Sequence, residues 1–152
     1  MALNQDFIGK VYPAGPAYEV GREKIREFAV AIGDMNPAYH DEAAARAYGH
    51  RDIIAPPTFP FTISMRAMAV VMFDPELGLD YSRVVHGEQR FAYSRPIVAG
   101  DELVVTTTIE SIRTMAGNDM IMTRGDIATL GGEHVVTTTS LLIARGPEDE
   151  TS

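Results

Sequence analysis

The sequence contains no cysteine. That absence excludes disulfide bridges and thiolate zinc sites, and it fits a reducing compartment. Basic clusters are missing too: with a formal charge of -8, the chain offers no basic face to the phosphates of a nucleic acid. Only scattered arginines, among them Arg90, Arg95, Arg113 and Arg124, are left to meet a phosphorylated ligand. No long hydrophobic run occurs, since the most apolar stretch, Phe59 to Phe73, carries Arg66 and falls short of a bilayer span. The opening "MALNQDFIGK" is too polar for a signal peptide. A soluble cytoplasmic protein is expected. His40, His50, His86 and His134 lack ligand spacing, so neither a metal nor another cofactor is expected, and there is no internal repeat or low-complexity segment.

What is present is an ordinary globular composition, 45% hydrophobic and 22% charged over 152 residues. This predicts one domain, residues 1–145, followed by a flexible tail, 146–152. Residues Phe7 to Tyr18 are broken by Pro13, Gly15 and Pro16 and read as a short strand with an irregular entry. From Arg22 the apolar residues Ile25, Phe28, Ala29 and Ile32 fall on one helical face, and Gly33 stops the helix. Asp34 therefore lies on a loop. A second short helix follows, with Asn36 or Asp41 as N-cap and Gly49 as its stop.

Pro56 and Pro57 mark the entry to a third helix, apolar nearly all round, in which Met65, Met68 and Met72 form a core face that would also suit an acyl chain. Four β-rich runs come next: Arg83 to Tyr93, Glu102 to Arg113, Met120 to Thr129 and His134 to Ala144. The short links "RPIVAGD", "MAGND" and "LGGE" predict an antiparallel meander with hairpin connections, wrapped around that helix. The threonine runs Thr106–Thr108 and Thr137–Thr139 read as strand surface. A sheet of this kind leaves an edge strand open, and dimerisation through that edge is the expected remedy. His86, on the edge strand, reads as a hydrogen-bonded core or interface histidine.

"FAVAIGDMNPAYHDEAAA", "IIAPPTF" and "RFAYSRPIVAGDEL" together resemble the MaoC-like hydratase/dehydratase family, over nearly the whole chain. The resemblance is greatest to its N-terminal, fatty-acid-synthase-type dehydratase domains, and extends to the non-catalytic subunits of mycobacterial heterodimeric (3R)-hydroxyacyl-ACP dehydratases. It implies an α+β hot-dog fold, an antiparallel sheet around a long central apolar helix. It implies (R)-specific hydration of a trans-2-enoyl thioester of CoA or acyl carrier protein, or the reverse dehydration. In the family an Asp and a His share one water, and a helix N-terminus polarises the thioester carbonyl. The chemistry is consistent with these groups: a weakly acidic α-proton needs a base near the working pH, and the developing enolate needs donors.

The motif is Gly-Asp-x-Asn-Pro, an apolar residue, then His. Gly33, Asp34, Asn36, Pro37 and Ala38 match it, but Tyr39 stands in the histidine's place and His40 follows one position late. A phenol with a pKa near ~10 is a poor base. A helical neighbour points about 100° away, so His40 faces elsewhere unless a one-residue bulge returns it; displacement is the preferred reading. Pro57 stands where the family has a glycine whose N–H polarises the carbonyl, and proline has no N–H. Thr58 is the next donor. The candidate catalytic residues are thus Asp34 and His40. The candidate substrate-binding residues are Asn36, Tyr39, Thr58 and Phe59, with Asn36 read chiefly as a cap. The expected partner is a second MaoC-like hot-dog subunit, in a homodimer or a heterodimer that supplies the missing histidine. A self-sufficient homodimer using Asp34 and His40, and a non-catalytic acyl-binding scaffold, are the alternatives.

Overall fold

The computed structural model describes residues 3–146. The expected tail, apart from Gly146, lies outside the described residues. Gly146 itself is held: its N–H donates to Asn118 Oδ1 at 3.2 Å, and Arg83 Nη2 donates to its carbonyl.

Strands β1 (Val11–Tyr12) and β2 (Tyr18–Glu19) precede helices α1 (Arg22–Ala31), α2 (Glu42–Ala47) and α3 (Pro60–Met72). Four long strands follow: β3 (Val84–Tyr93), β4 (Glu102–Met115), β5 (Asn118–Thr129) and β6 (His134–Ala144). All pairings are antiparallel, and the sheet runs β1-β4-β5-β6-β3, with β2 also on β4. The two hairpins β4-β5 and β5-β6 are those the short links predict. The first link behaves differently. β3 does not pair with β4 but with β6, at the opposite edge, so "RPIVAGD" is a crossover and not a hairpin. The crossover is held by a second partner, the strand-like segment around Ile54: Ala55 N–H donates to Ile97 O at 2.8 Å and Ala99 N–H to Ile53 O at 2.9 Å. Those bonds satisfy backbone groups that a hairpin would have satisfied.

Side-chain alternation builds the core. Leu103, Val105, Thr107 and Ile109 of β4 are buried, and a register shift between Ile109 and Ser111 resets the parity so that Ile112 is buried next. On β5 and β6 the same face presents Ile121, Thr123, Gly125 and Ile127, then Val136, Thr138, Ser140 and Leu142, all buried. The middle threonine of each triplet, Thr107 and Thr138, therefore points inward, which corrects the reading of both runs as surface. Period-two geometry forces this, because three consecutive residues cannot all face water on a half-covered strand.

α3 covers that face, burying Ile63, Met68, Val71 and Met72. It is not the long, fully wrapped helix expected. It has 13 residues, about 20 Å, and Asp74-Pro75 closes it. Its outer side carries Arg66 and Val70, the latter 62% exposed, because the sheet covers one side only. Met65 is half-buried.

Candidate functional site

α1 ends in a Schellman motif. Gly33, at φ +73°, donates to Val30 O at 3.0 Å, and Asp34 N–H reaches back to Ala29 O at 2.9 Å. The left-handed turn aims the chain away from the helix and sets Asp34 at the start of three nested caps. Asp34 Oδ1 accepts from Asn36 N–H at 3.1 Å, and Asn36 Oδ1 accepts from Ala38 N–H at 3.0 Å. Asp41 Oδ1 then caps α2 through Ala44 N–H at 3.1 Å, so both cap candidates are used, Asn36 for the turn Pro37–Tyr39 and Asp41 for the helix. The turn brings His40 back over Asp34. Its Nε2 lies 3.1 Å from the Asp34 backbone carbonyl, and its own carbonyl accepts from Arg26 Nε at 3.0 Å. A carbonyl only accepts, which assigns the ring proton to Nε2. The contact is with Asp34's backbone and not with its carboxylate.

Tyr39 takes the inward position, 8% exposed. It lines a shallow cleft of about 340 Å³ together with Ile54, Pro57, Tyr93, Ser94 and Arg95; neither Asp34 nor His40 lines it. Tyr93 Oη donates to the carbonyl of Pro57 at 2.6 Å, tying β3 to the entry of α3. Burial pushes the Tyr39 phenol above its ordinary value, and the nearby Asp34 charge adds to the shift. The Tyr93 phenol is also pushed up, by burial first and then by Tyr39. Both phenols are thereby favoured in the neutral form, and Tyr93 uses its proton on Pro57.

At the head of α3, Thr58 is exposed and its N–H has no hydrogen-bond partner among the described residues. Phe59 is elsewhere altogether. It has no exposed surface and packs edge-on against Tyr18 and Phe28, with ring centroids at 6.5 and 5.4 Å. In this conformation it holds the core and presents nothing to a ligand. His86 is exposed on β3, 3.2 Å from Gln89 Oε1 and tilted against Phe61. No cluster of three or more metal-ligating side chains occurs among the described residues.

Sequence reasoning missed Tyr93 and named Arg95 only as one of several arginines open to a phosphorylated ligand; both arrive at the cleft through the β3 crossover. Arg95 is fixed by Asp101, whose carboxylate is 2% exposed and accepts from Arg95 Nη1 at 2.8 Å and Nη2 at 3.1 Å, from Arg51 Nη2 at 2.5 Å and from Val98 N–H at 2.9 Å. Burial alone would raise the Asp101 pKa. Arg95, the Val98 amide and Arg51 outweigh it and hold the group below the usual carboxylate range. The signal in the sequence was "RPIVAGD", an arginine six residues before an aspartate, read as a turn and as part of the family resemblance but not as an ion pair.

A family profile described as "FAS1-like, dehydratase domain region" matches residues 6–138. The chain belongs to this FAS1-like, MaoC-like dehydratase-domain family. Among its relatives is the "UPF0336 protein" of Streptomyces griseus, 60% identical over 149 residues, covering 98% of this chain and 99% of that protein. Two solved structures are similar. One is the C-terminally truncated HadBC (3R-hydroxyacyl-ACP dehydratase) complex of Mycobacterium tuberculosis, 32% identical, with a TM-score of 0.81 over 93% of this chain and 99% of that one. The other is a "MaoC-like dehydratase", 33% identical, with a TM-score of 0.87 over 95% of this chain. The FAS1-like chain spans only 44% of that longer protein. These likenesses make the antiparallel sheet and its helices a hot-dog-like α+β fold. Among the described residues, no helix is long and apolar enough to cross a membrane.

Proposed function

We propose that this chain is the acyl-binding subunit of a cytoplasmic (3R)-hydroxyacyl-thioester dehydratase or (R)-specific enoyl hydratase, completed by a second hot-dog subunit that supplies the catalytic histidine. One observation carries the reading: Tyr39, not a histidine, lines the cleft at the motif's base position, while His40 Nε2 is held by the Asp34 carbonyl. A phenol raised above its ordinary range cannot remove an α-proton at neutral pH. It can donate a hydrogen bond to an acyl oxygen, as can Thr58 N–H at the helix head. Adding or removing water calls for no redox cofactor.

The sheet's path ends at β3, so its outer edge is available to a second sheet, and Val85 and Tyr93 there are 40% and 39% exposed. The kinship with HadBC, a complex of two chains, supports the heteromeric arrangement. The carrier is CoA or acyl carrier protein, and residues 1–145 act as one domain.

The test is hydration of crotonyl thioester by the purified chain, alone and with a MaoC-like chain from the same genome. Inactivity alone and turnover with the partner are expected. In Tyr39→His, weak activity without the partner is expected, since a positioned general base is worth about 10²- to 10⁴-fold. A second reading is a self-sufficient homodimer using Asp34 and His40, which share one turn although the 3.1 Å contact is with the Asp34 carbonyl and not its carboxylate. Activity of the chain alone that His40→Ala abolishes would replace the first reading with this one. Failure to bind acyl thioester even with the partner present would leave a scaffold role.

A further inference from the structure

The end of the sheet beside the cleft carries a chain of hydrogen bonds that the thioester-binding reading does not use. Ser94 follows β3, is exposed and lines the cleft. Its Oγ lies 2.5 Å from Nδ1 of His134, the first residue of β6. His134 Nε2 is 2.8 Å from Thr137 Oγ1, which donates to Asp126 Oδ1 at 3.0 Å. Arg124 Nε holds Asp126 at 3.0 Å. Sheet pairing assembles the set: Tyr93 stands opposite Val136 and Asp126 opposite Thr137, so residues far apart in sequence meet at one end of the sheet.

The far end fixes the direction of every bond. A carboxylate only accepts, so the single Thr137 hydroxyl proton points to Asp126. Thr137 Oγ1 must then accept from His134, which places the ring proton on Nε2. Nδ1 is left with its lone pair, and the Ser94 hydroxyl donates to it. A serine hydroxyl donating to a neutral imidazole, itself oriented through a hydrogen-bonded carboxylate, has the parts of an activated nucleophile.

We propose that Ser94, with His134 as its general base, accepts acyl groups and gives the chain a slow acyl-ester and acyl-thioester hydrolase activity. The thioester reading above supplies only the choice of natural substrate. Ser94 Oγ bonds to the acyl carbonyl carbon as its proton passes to His134 Nδ1. The C–S bond breaks and the sulfur leaves with that proton. Water then adds to the Ser94 ester, giving a proton to His134. The bond from the acyl carbon to Ser94 Oγ breaks, Ser94 regains the proton, and the free acid departs. Thr137 and Asp126 are positioning residues that hold the tautomer.

The test uses the full chain with a fluorophosphonate probe and with p-nitrophenyl butyrate. Neither is a thioester, so failure here leaves the thioester-binding reading standing. One adduct is expected, mapped by peptide mass spectrometry to Ser94 and absent from Ser94→Ala. Ester turnover should fall about 10²- to 10⁴-fold in His134→Ala. Added imidazole should restore it above the rate of Ser94→Ala in the same buffer. Thr137→Val should slow turnover and Thr137→Ser retain it, a contrast that packing alone would not give. No adduct at Ser94, ester hydrolysis unchanged in Ser94→Ala, or no imidazole rescue of folded His134→Ala would each overturn the proposal.

Discussion

Asp101→Asn keeps the shape of the side chain and deletes the charge that anchors the cleft's arginine. The carboxylate is 2% exposed and accepts four bonds, two from Arg95, one from Arg51 and one from Val98 N–H. In the variant one oxygen becomes an amide NH₂ that must face a donor. Removing one partner of a buried ion pair costs about 3–5 kcal/mol. Arg51 is 60% exposed and can return to water, so its share is small. Arg95, at 26%, and the Val98 amide carry the loss, which places the expected value near the lower end, about 3 kcal/mol. With a urea slope of about 2 kcal/mol/M, the midpoint should fall by about 1.5 M with the slope unchanged. A fall below about 0.5 M would refute the account. The pH dependence has a definite sign. A carboxyl held below its ordinary value contributes stability that is complete above about pH 4 and is lost as pH falls through the depressed value. The gap between wild type and variant should therefore be full at neutral pH and narrow only in strong acid. A gap that stayed constant in strong acid would mean that shape, not charge, was lost.

Phe59→Ala should destabilise the fold by about 3–5 kcal/mol in the same urea titration, because the ring is wholly buried between Tyr18 and Phe28; a loss under about 1 kcal/mol would show that the core around α3 collapses to fill the space. Tyr39 and Tyr93 should ionise later than an ordinary tyrosine, whose pKa is about 10, so ultraviolet titration of Tyr39→Phe and Tyr93→Phe should each lose a late transition. Folding stability should drop as pH rises past that value, since a raised pKa favours the neutral folded form; loss of an ordinary transition instead would contradict the desolvation of these two hydroxyls, Tyr93's included although the residue as a whole is 39% exposed.

The four long strands were legible because period-two alternation is local: burial on β4 follows the sequence pattern until the shift after Ile109 resets it. The stops at Gly33 and Gly49, with φ +73° and +92°, were equally readable, since only glycine enters that region without penalty. So were the caps at Asn36 and Asp41, whose short side chains reach amides two or three residues on. Placement of β3 was not readable. A seven-residue link fits a hairpin as well as a crossover, and the choice was made by Ile53 and Ala55, which supply partners more than forty residues away in sequence. For the same reason Tyr93 and Arg95 were invisible as cleft residues, and Phe59, adjacent to the motif's helix, proved to face the core. The threonine triplets show the limit of composition: which threonine is buried depends on where α3 rests.

The sequence by itself determined the elements, their ends and the family motif with its misplaced histidine, because these depend on neighbours within a few positions. Only the tertiary structure decided that Tyr39 lines the cleft while His40 binds the Asp34 carbonyl. It also decided that Ser94 meets His134. Those outcomes depend on how a 3-10 turn rotates one side chain inward and on which strands pair, and both are set by burial across the whole chain.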